Sequence, residues 1–298
     1  RIKMSKVALT SIGDRRENTL RSLNFLEKEV KEAIGDKKVI IKPNMVSTNV
    51  QLASTHLDNL RGIVKFLEDL GIEEISIAEA SIGETSKGFE NFDYFKLKRE
   101  FPGVEFDFID LNKEESTNFW IADREIHPLK VRVSKPLLNP ENFVISASRM
   151  KTHDTVVATL SIKNVLMGAL INDSQGKDKS KMHQGIKQIN YNLFQLSQCL
   201  MPGLAVIDGF KGMEGNGPVH GGPVDMKVAI SSLDPLSADR VGLELMGIDS
   251  SKIGYLNYCA QANLGEFELN NIEIVGSDIE DFKRNFKLHE NVETQFKW

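Results

Sequence analysis

Residues 142–164 read NFVISASRMKTHDTVVATLSIKN. An apolar run, Asn142 to Ala147, is followed at once by Lys151, His153 and Asp154, then by a β-branched stretch, and then by Lys163 and Asn164. A core element has no use for such charges, and a solvated loop would not hold so many apolar residues between them. Both features fit if 142–147 is a buried strand and the polar groups lie just past its carboxyl end. Open α/β sheets bind ligands there, in the crevice where strand order reverses.

Other segments repeat the pattern. Short β-rich runs occur at Lys6–Leu9, Lys38–Ile41, Glu74–Ala78, Val104–Ile109, Leu204–Ile207, Lys227–Ser231 and Ile272–Val275. Between them, Leu20, Leu23, Leu26, Val30 and Ile34 recur at helical spacing and stop at Gly35, as Leu60, Ile63, Val64 and Leu67 stop at Gly71. Strands alternating with helices of this length predict an α/β fold with a mostly parallel central sheet and helices on both faces. The continuously apolar runs at 39–41 and 205–207 suit strands covered on both sides. Residues 118–133 alternate at period two and predict an inserted antiparallel hairpin. No repeat or linker divides the chain, so residues 1–298 are expected to form a single domain. Residues 173–187 make the most polar connection and predict a flexible flap.

The 298 residues are 41% hydrophobic and 27% charged, an ordinary globular balance, with a formal net charge of -5 that argues against a general nucleic-acid binder. No apolar run approaches the roughly 20 residues of a membrane-spanning helix. The amino-terminal residues carry no signal-peptide pattern, so the expectation is a cytoplasmic protein with neither nucleic-acid nor membrane partners. Cys199 and Cys259 form no C-x-x-C pair.

Lys42, Pro43 and Asn44 follow one predicted strand, Glu79 another, Asp110 a third, Lys151 and His153 a fourth, and Asp208 a fifth. Residues scattered along the chain are therefore expected to converge on one crevice. Lys42, Lys151, Lys163 and Lys181, with Asn44 and Asn164, are donors suited to a carboxylate or phosphate. His153 is a candidate acid/base group, with Lys151 and Asp208 beside it. His153, His183, Asp208 and Glu214 are candidate ligands for a divalent metal, with Asp154 and Asp239 as further candidate carboxylates. The loop GMEGNGPVHGGP (212–223) leads to a strand rather than a helix and lacks G-K-[ST], so it is neither a dinucleotide fingerprint nor a P-loop. Its Gly215 and Gly217 still permit close backbone approach to a ligand. Asp234 before Pro235 reads as a helix start.

The ordered set K-P-N (42–44), T-H (55–56), M-K-T-H (150–153), S-I-K-N-V-L-M-G (161–168), K-M-H (181–183), I-D-G (207–209), M-E-G-N-G-P (213–218) and D-P-L-S-A-D (234–239) resembles the family catalogued as domain of unknown function 362. The resemblance runs over about residues 39–276 and implies a Rossmann-like α/β fold. Many members are fused to ferredoxin-like domains with two four-iron clusters, which hints at redox or metal-centred chemistry. The two cysteines here cannot hold such a cluster, so an electron-transfer role would need a separate ferredoxin-like partner. A looser analogy is to the amino-terminal half of nickel-dependent lactate racemases.

The expected function is an enzyme acting on a small anionic metabolite by acid/base, metal-assisted or redox chemistry. A non-catalytic ligand-binding or accessory protein of an iron–sulfur system is the alternative.

Overall fold

A computed structural model describes residues 4–298. Its strands are β1 (Ser5–Thr10), β2 (Lys38–Pro43), β3 (Glu74–Glu79), β4 (Glu105–Asp110), β5 (Ser116–Ala122), β6 (Pro128–Ser134), β7 (Asn142–Thr152), β8 (Ala158–Thr159), β9 (Asn172–Asp173), β10 (Gly176–Lys177), β11 (Leu204–Glu214), β12 (Gly222–Ser232) and β13 (Ile272–Gly276). Nine of them form one sheet in the order β13-β1-β12-β11-β7-β2-β3-β4, with β8 folded back on β7. Along that path only β12 runs antiparallel to its neighbours. The α/β fold with a mostly parallel sheet is as the sequence predicts, and every predicted strand lies in it.

Period-two alternation divides the sheet between two cores. Val39, Ile41, Ile145 and Val206 pack on one face beneath the helices Arg15–Asn24 and Leu57–Asp69. Ile40, Val144 and Ile207 pack on the other, beneath Ser161–Gly168, Ile186–Ser197 and Pro235–Leu245. Helix ends follow their local chemistry. Asp234 accepts the amides of Leu236 and Ser237 ahead of Pro235, while Gly35 and Gly71 take positive φ after their helices.

The inserted hairpin is present as β5 and β6, paired from Ser116↔Ser134 to Ala122↔Pro128. The flap segment contains the β9–β10 turn and a short helix, Asp178–Lys181. Arg132 on β6 tethers it through Asp173, at 2.7 and 2.9 Å, and through Asp178 at 2.8 Å. Among the described residues no helix is long and apolar enough to cross a membrane.

Strand order reverses between β2 and β7: from β2 the sheet grows through β3 to β4, and from β7 through β11 to β12. Two strands run further than predicted, β7 to Thr152 and β11 to Glu214. That extension decides which predicted residues reach the crevice.

Candidate functional site

A cavity of about 190 Å³ opens at this switch point. Its polar lining comes from the end of β2 (Lys42, Asn44), the end of β3 (Glu79), the turn after β7 (His153, Asp154), the helix Ser161–Gly168 (Lys163, Asn164) and the flap (Lys179, His183). Its volume is below the ~300–1,000 Å³ of drug-sized sites, which suits a small metabolite.

Its floor is rigid. Lys42 Nζ donates to Glu79 Oε2 at 2.7 Å and to Asn164 Oδ1 at 3.2 Å, and both ionic partners are almost wholly buried. Burial lowers the Lys42 pKa although Glu79 opposes the shift. Glu79 also accepts the amides of Met45 and Ala80. Asn164 ties β2 to β7: its amide donates to Lys42 O at 3.1 Å and to Ser146 Oγ at 3.0 Å, and its Oδ1 accepts from the Asn44 side chain at 3.1 Å. The helix can approach so closely because residue 168 is glycine. A Cβ there would lie 1.9 Å from Lys42 Cε.

The reactive-looking groups stand above this floor. The chain turns after β7, with the His153 amide donating to Val157 O, and brings the His153 ring onto the helix. Lys163 Nζ lies 2.9 Å from His153 Nε2. Burial, then the nearby Lys163 charge, hold the His153 pKa down to about 3, and burial pulls Lys163 down to about 8. Nδ1 of His153 accepts from the Thr155 amide at 3.1 Å and lies 3.0 Å from the Thr155 hydroxyl. Asp154 Oδ1 is 2.9 Å from the same nitrogen. Lys179 reaches in from the flap and donates to Ala80 O, with burial bringing it to about 8.

Two buried polar atoms on residues lining this cavity lack a hydrogen-bond partner, Asn44 Oδ1 and Thr159 Oγ1. Larger hollows elsewhere, such as the one between Lys38 and Asn142, have no such atom in their linings. Leaving a buried donor or acceptor unmet costs about 1–3 kcal/mol, so a cluster of them marks a place where something else supplies the partners.

Of the predicted site residues, Lys42, Asn44, His153, His183, Lys163 and Asn164 come together, with His183 at the exposed rim. The remainder require correction. Lys151 does not lie beyond a strand. It sits inside β7 on the opposite face, wholly buried, with Nζ on Ala53 O at 2.7 Å. Burial, with Lys163 and Arg149 nearby, lowers its pKa well below the ordinary value. Asp208 lies inside β11 on that same face and pairs with Arg15 at 3.1 Å and Arg149 at 3.8 Å. Glu214 faces the carboxyl-terminal segment, accepting from the Lys287 amide. The suggested metal quartet is therefore not gathered, and among the described residues no group of three His, Cys, Asp or Glu side chains could hold a metal.

Lys181 pairs with Asp178 at 2.6 Å and with Lys130 O, outside the cavity. Gly215 and Gly217 spend their amides on Lys287 O and Gly215 O. Gly217 is needed for packing, since a Cβ there would lie 2.1 Å from Thr152 O, and the loop touches the cavity through Pro218. Lys179 and Thr159 are the lining residues that sequence reasoning misses. The run K-D-K-S-K (177–181) has no signal telling which lysine turns inward, and a threonine in a β-branched stretch looks like filler.

The sequence model of the family described as domain of unknown function (DUF362) matches residues 39–244. The thylakoid-associated protein sll1697 of Synechocystis sp. is 28% identical over 139 residues, 45% of this chain and 41% of that protein, so the match spans less than half of its length. A crystal structure of a Thermotoga maritima protein superposes with a TM-score of 0.37 at 17% identity, covering 67% of this chain and 52% of the other.

Proposed function

The chain belongs to the domain of unknown function (DUF362) family, and from the switch-point cavity we propose that it is an enzyme acting on a small carboxylate or phosphate metabolite by acid/base chemistry. The observation that carries this reading is the conjunction, in one small cavity, of Lys163 and Lys179 with the unmet Asn44 Oδ1 and Thr159 Oγ1. The two amines supply charge for an anion, the Thr159 hydroxyl supplies a further donor, and Asn44 Oδ1 accepts from a hydroxyl or protonated group of the ligand. Lys42 is already neutralised by Glu79 and serves to hold the floor.

Proton transfer falls to the His153–Lys163 pair. Lys163, with a pKa of about 8, gains and loses a proton near neutral pH, while the imidazole of His153, held down to about 3, stays neutral and hydrogen-bonds to it. A cytoplasmic setting accompanies this reading, since Cys199 and Cys259 are both free thiols.

Titration calorimetry with oxalate, phosphate and pyruvate tests the proposal. Saturable binding of one of them is expected, and Lys179→Ala is expected to weaken it about 10–100-fold by removing one charge-assisted contact. Absence of saturable binding at millimolar ligand sinks the anion site. Binding without turnover of any hydroxy, keto or phosphorylated acid turns the reading to a non-catalytic protein, of the kind that could serve a separate ferredoxin-like partner.

A further inference from the structure

We infer that Lys163 reacts as a free amine and forms an imine with the carbonyl carbon of a small α-keto acid or aldehyde acid. This rests on the anion-site reading and adds to it the substrate class and a covalent step.

The hydrogen bonds of His153 carry the argument. A backbone N–H can only donate, so the Thr155 amide at 3.1 Å requires a lone pair on Nδ1. A neutral imidazole with its lone pair on Nδ1 carries its proton on Nε2. That proton points at Lys163 Nζ, 2.9 Å away. An ammonium has no lone pair to receive it, and a free amine has one.

The surroundings favour the same state. Lys163 is 4% exposed, and its only hydrogen-bond partner among the described residues is that imidazole. The titratable and charged groups around it are His153 and Asp154 from the turn after β7, Lys151 from within β7, Lys179 and His183 from the flap, and Lys42 with Glu79 from the strand ends. Lys42 and Glu79 cancel as a pair, Asp154 favours the charged amine, and burial with Lys179 disfavours it, so that Lys163 falls to about 8. An α-keto acid fits the remaining lining: its carboxylate meets Lys179 and the Thr159 hydroxyl while its carbonyl carbon faces Lys163.

The step balances without any oxidant or reductant. The Nζ lone pair forms the C–N bond as the C=O π bond breaks, and a proton passes from nitrogen to the new alkoxide. The resulting hydroxyl leaves as water with one proton from solvent at the cavity mouth, which leaves a protonated C=N bond on Lys163.

Incubation with pyruvate or glyoxylate and sodium cyanoborohydride, followed by peptide mass spectrometry, tests the inference. Lys163 is expected to gain the mass of the keto acid less one water plus two hydrogens. Its rate is expected to rise with pH to a midpoint near 8 and to fall when oxalate competes. Lys163→Arg, which retains a cation for oxalate, is expected to lose the label. His153→Gln retains the amine but removes its imidazole partner and is expected to move the midpoint. No label at Lys163, or label spread over surface lysines, while oxalate still binds the wild type, overturns the imine and leaves the anion site standing. Loss of both label and oxalate binding removes the two readings together.

Discussion

Asp239 accepts the backbone amide of Ser161 at 2.7 Å across 78 residues of sequence, and so caps the helix that presents Lys163 and Asn164. The same carboxylate accepts from the Ser161 hydroxyl at 2.5 Å and the Ile162 amide at 3.2 Å. Replacement by alanine strands two buried amides at a helix start and is expected to cost about 2–4 kcal/mol in urea unfolding. Asp239→Asn keeps an acceptor and is expected to lose less. Equal losses from both would show that the cap is not what holds the helix.

Lys42 and Glu79 are expected to behave as a buried pair. Lys42→Met leaves the Glu79 charge alone and is expected to cost about 3–5 kcal/mol. Adding Glu79→Gln removes the stranded charge but leaves an oxygen for only one of the Met45 and Ala80 amides, and is expected to recover about 1 kcal/mol. A double-mutant cycle by chemical denaturation measures that coupling, and strict additivity would contradict it.

Thr159 should reveal a site by what its loss does not do. Its hydroxyl has no partner to give up, so Thr159→Val is expected to leave stability unchanged or raise it by up to about 1 kcal/mol. Oxalate affinity measured by calorimetry is expected to fall about tenfold. A loss of stability with unchanged affinity would make Thr159 structural.

Lys163 makes stability depend on pH in a stated direction. Its pKa is about 8 in the folded chain against an ordinary 10.5. Between those values the unfolded chain binds more protons than the folded one, so stability rises with pH through that window. Below it both states are charged, and burial of the charge weakens folding. The wild type should therefore gain on Lys163→Met as pH rises from about 8 towards 10.5 in parallel thermal melts. A constant difference would show that the amine is not depressed.

Lys151 separates the sequence reading from the structural one. On the opposite face of β7 it cannot touch a ligand in the cavity, so Lys151→Met is expected to leave oxalate affinity unchanged. A large drop in affinity, with the fold intact by circular dichroism, would return Lys151 to the site.

Half of the candidate site was legible because the chain announces its strand ends. K-P-N after an apolar run and I-K-N at a helix start place Lys42, Asn44, Lys163 and Asn164 at the crevice from local pattern alone. The errors at Lys151 and Asp208 have one source. Ser148 and Arg149 look like the end of a strand, yet β7 continues through them because Arg149 finds the carbonyl oxygens of Lys211, Gln51 and Ser54. Those partners lie far away in sequence, and nothing local predicts them. Asp208 is misplaced for the same reason, since its cationic partners Arg15 and Arg149 come from another helix and another strand.

Periodicity is local, so the residues by themselves determined the alternation of strands and helices, the mostly parallel sheet, the hairpin and the rim at which polar groups gather. Side-chain direction in a strand is not local in this way, because it depends on where the strand stops. The register of β7 and β11 sent Lys151 and Asp208 to one face of the sheet. The turn after Thr152 sent His153 to the other, where it meets Lys163. The docking of the flap through Arg132 chose Lys179 over Lys181. Which charges share a cavity, and hence which amine has its pKa lowered, was decided by tertiary contacts alone, because burial and the distances between charges exist only once the chain is folded.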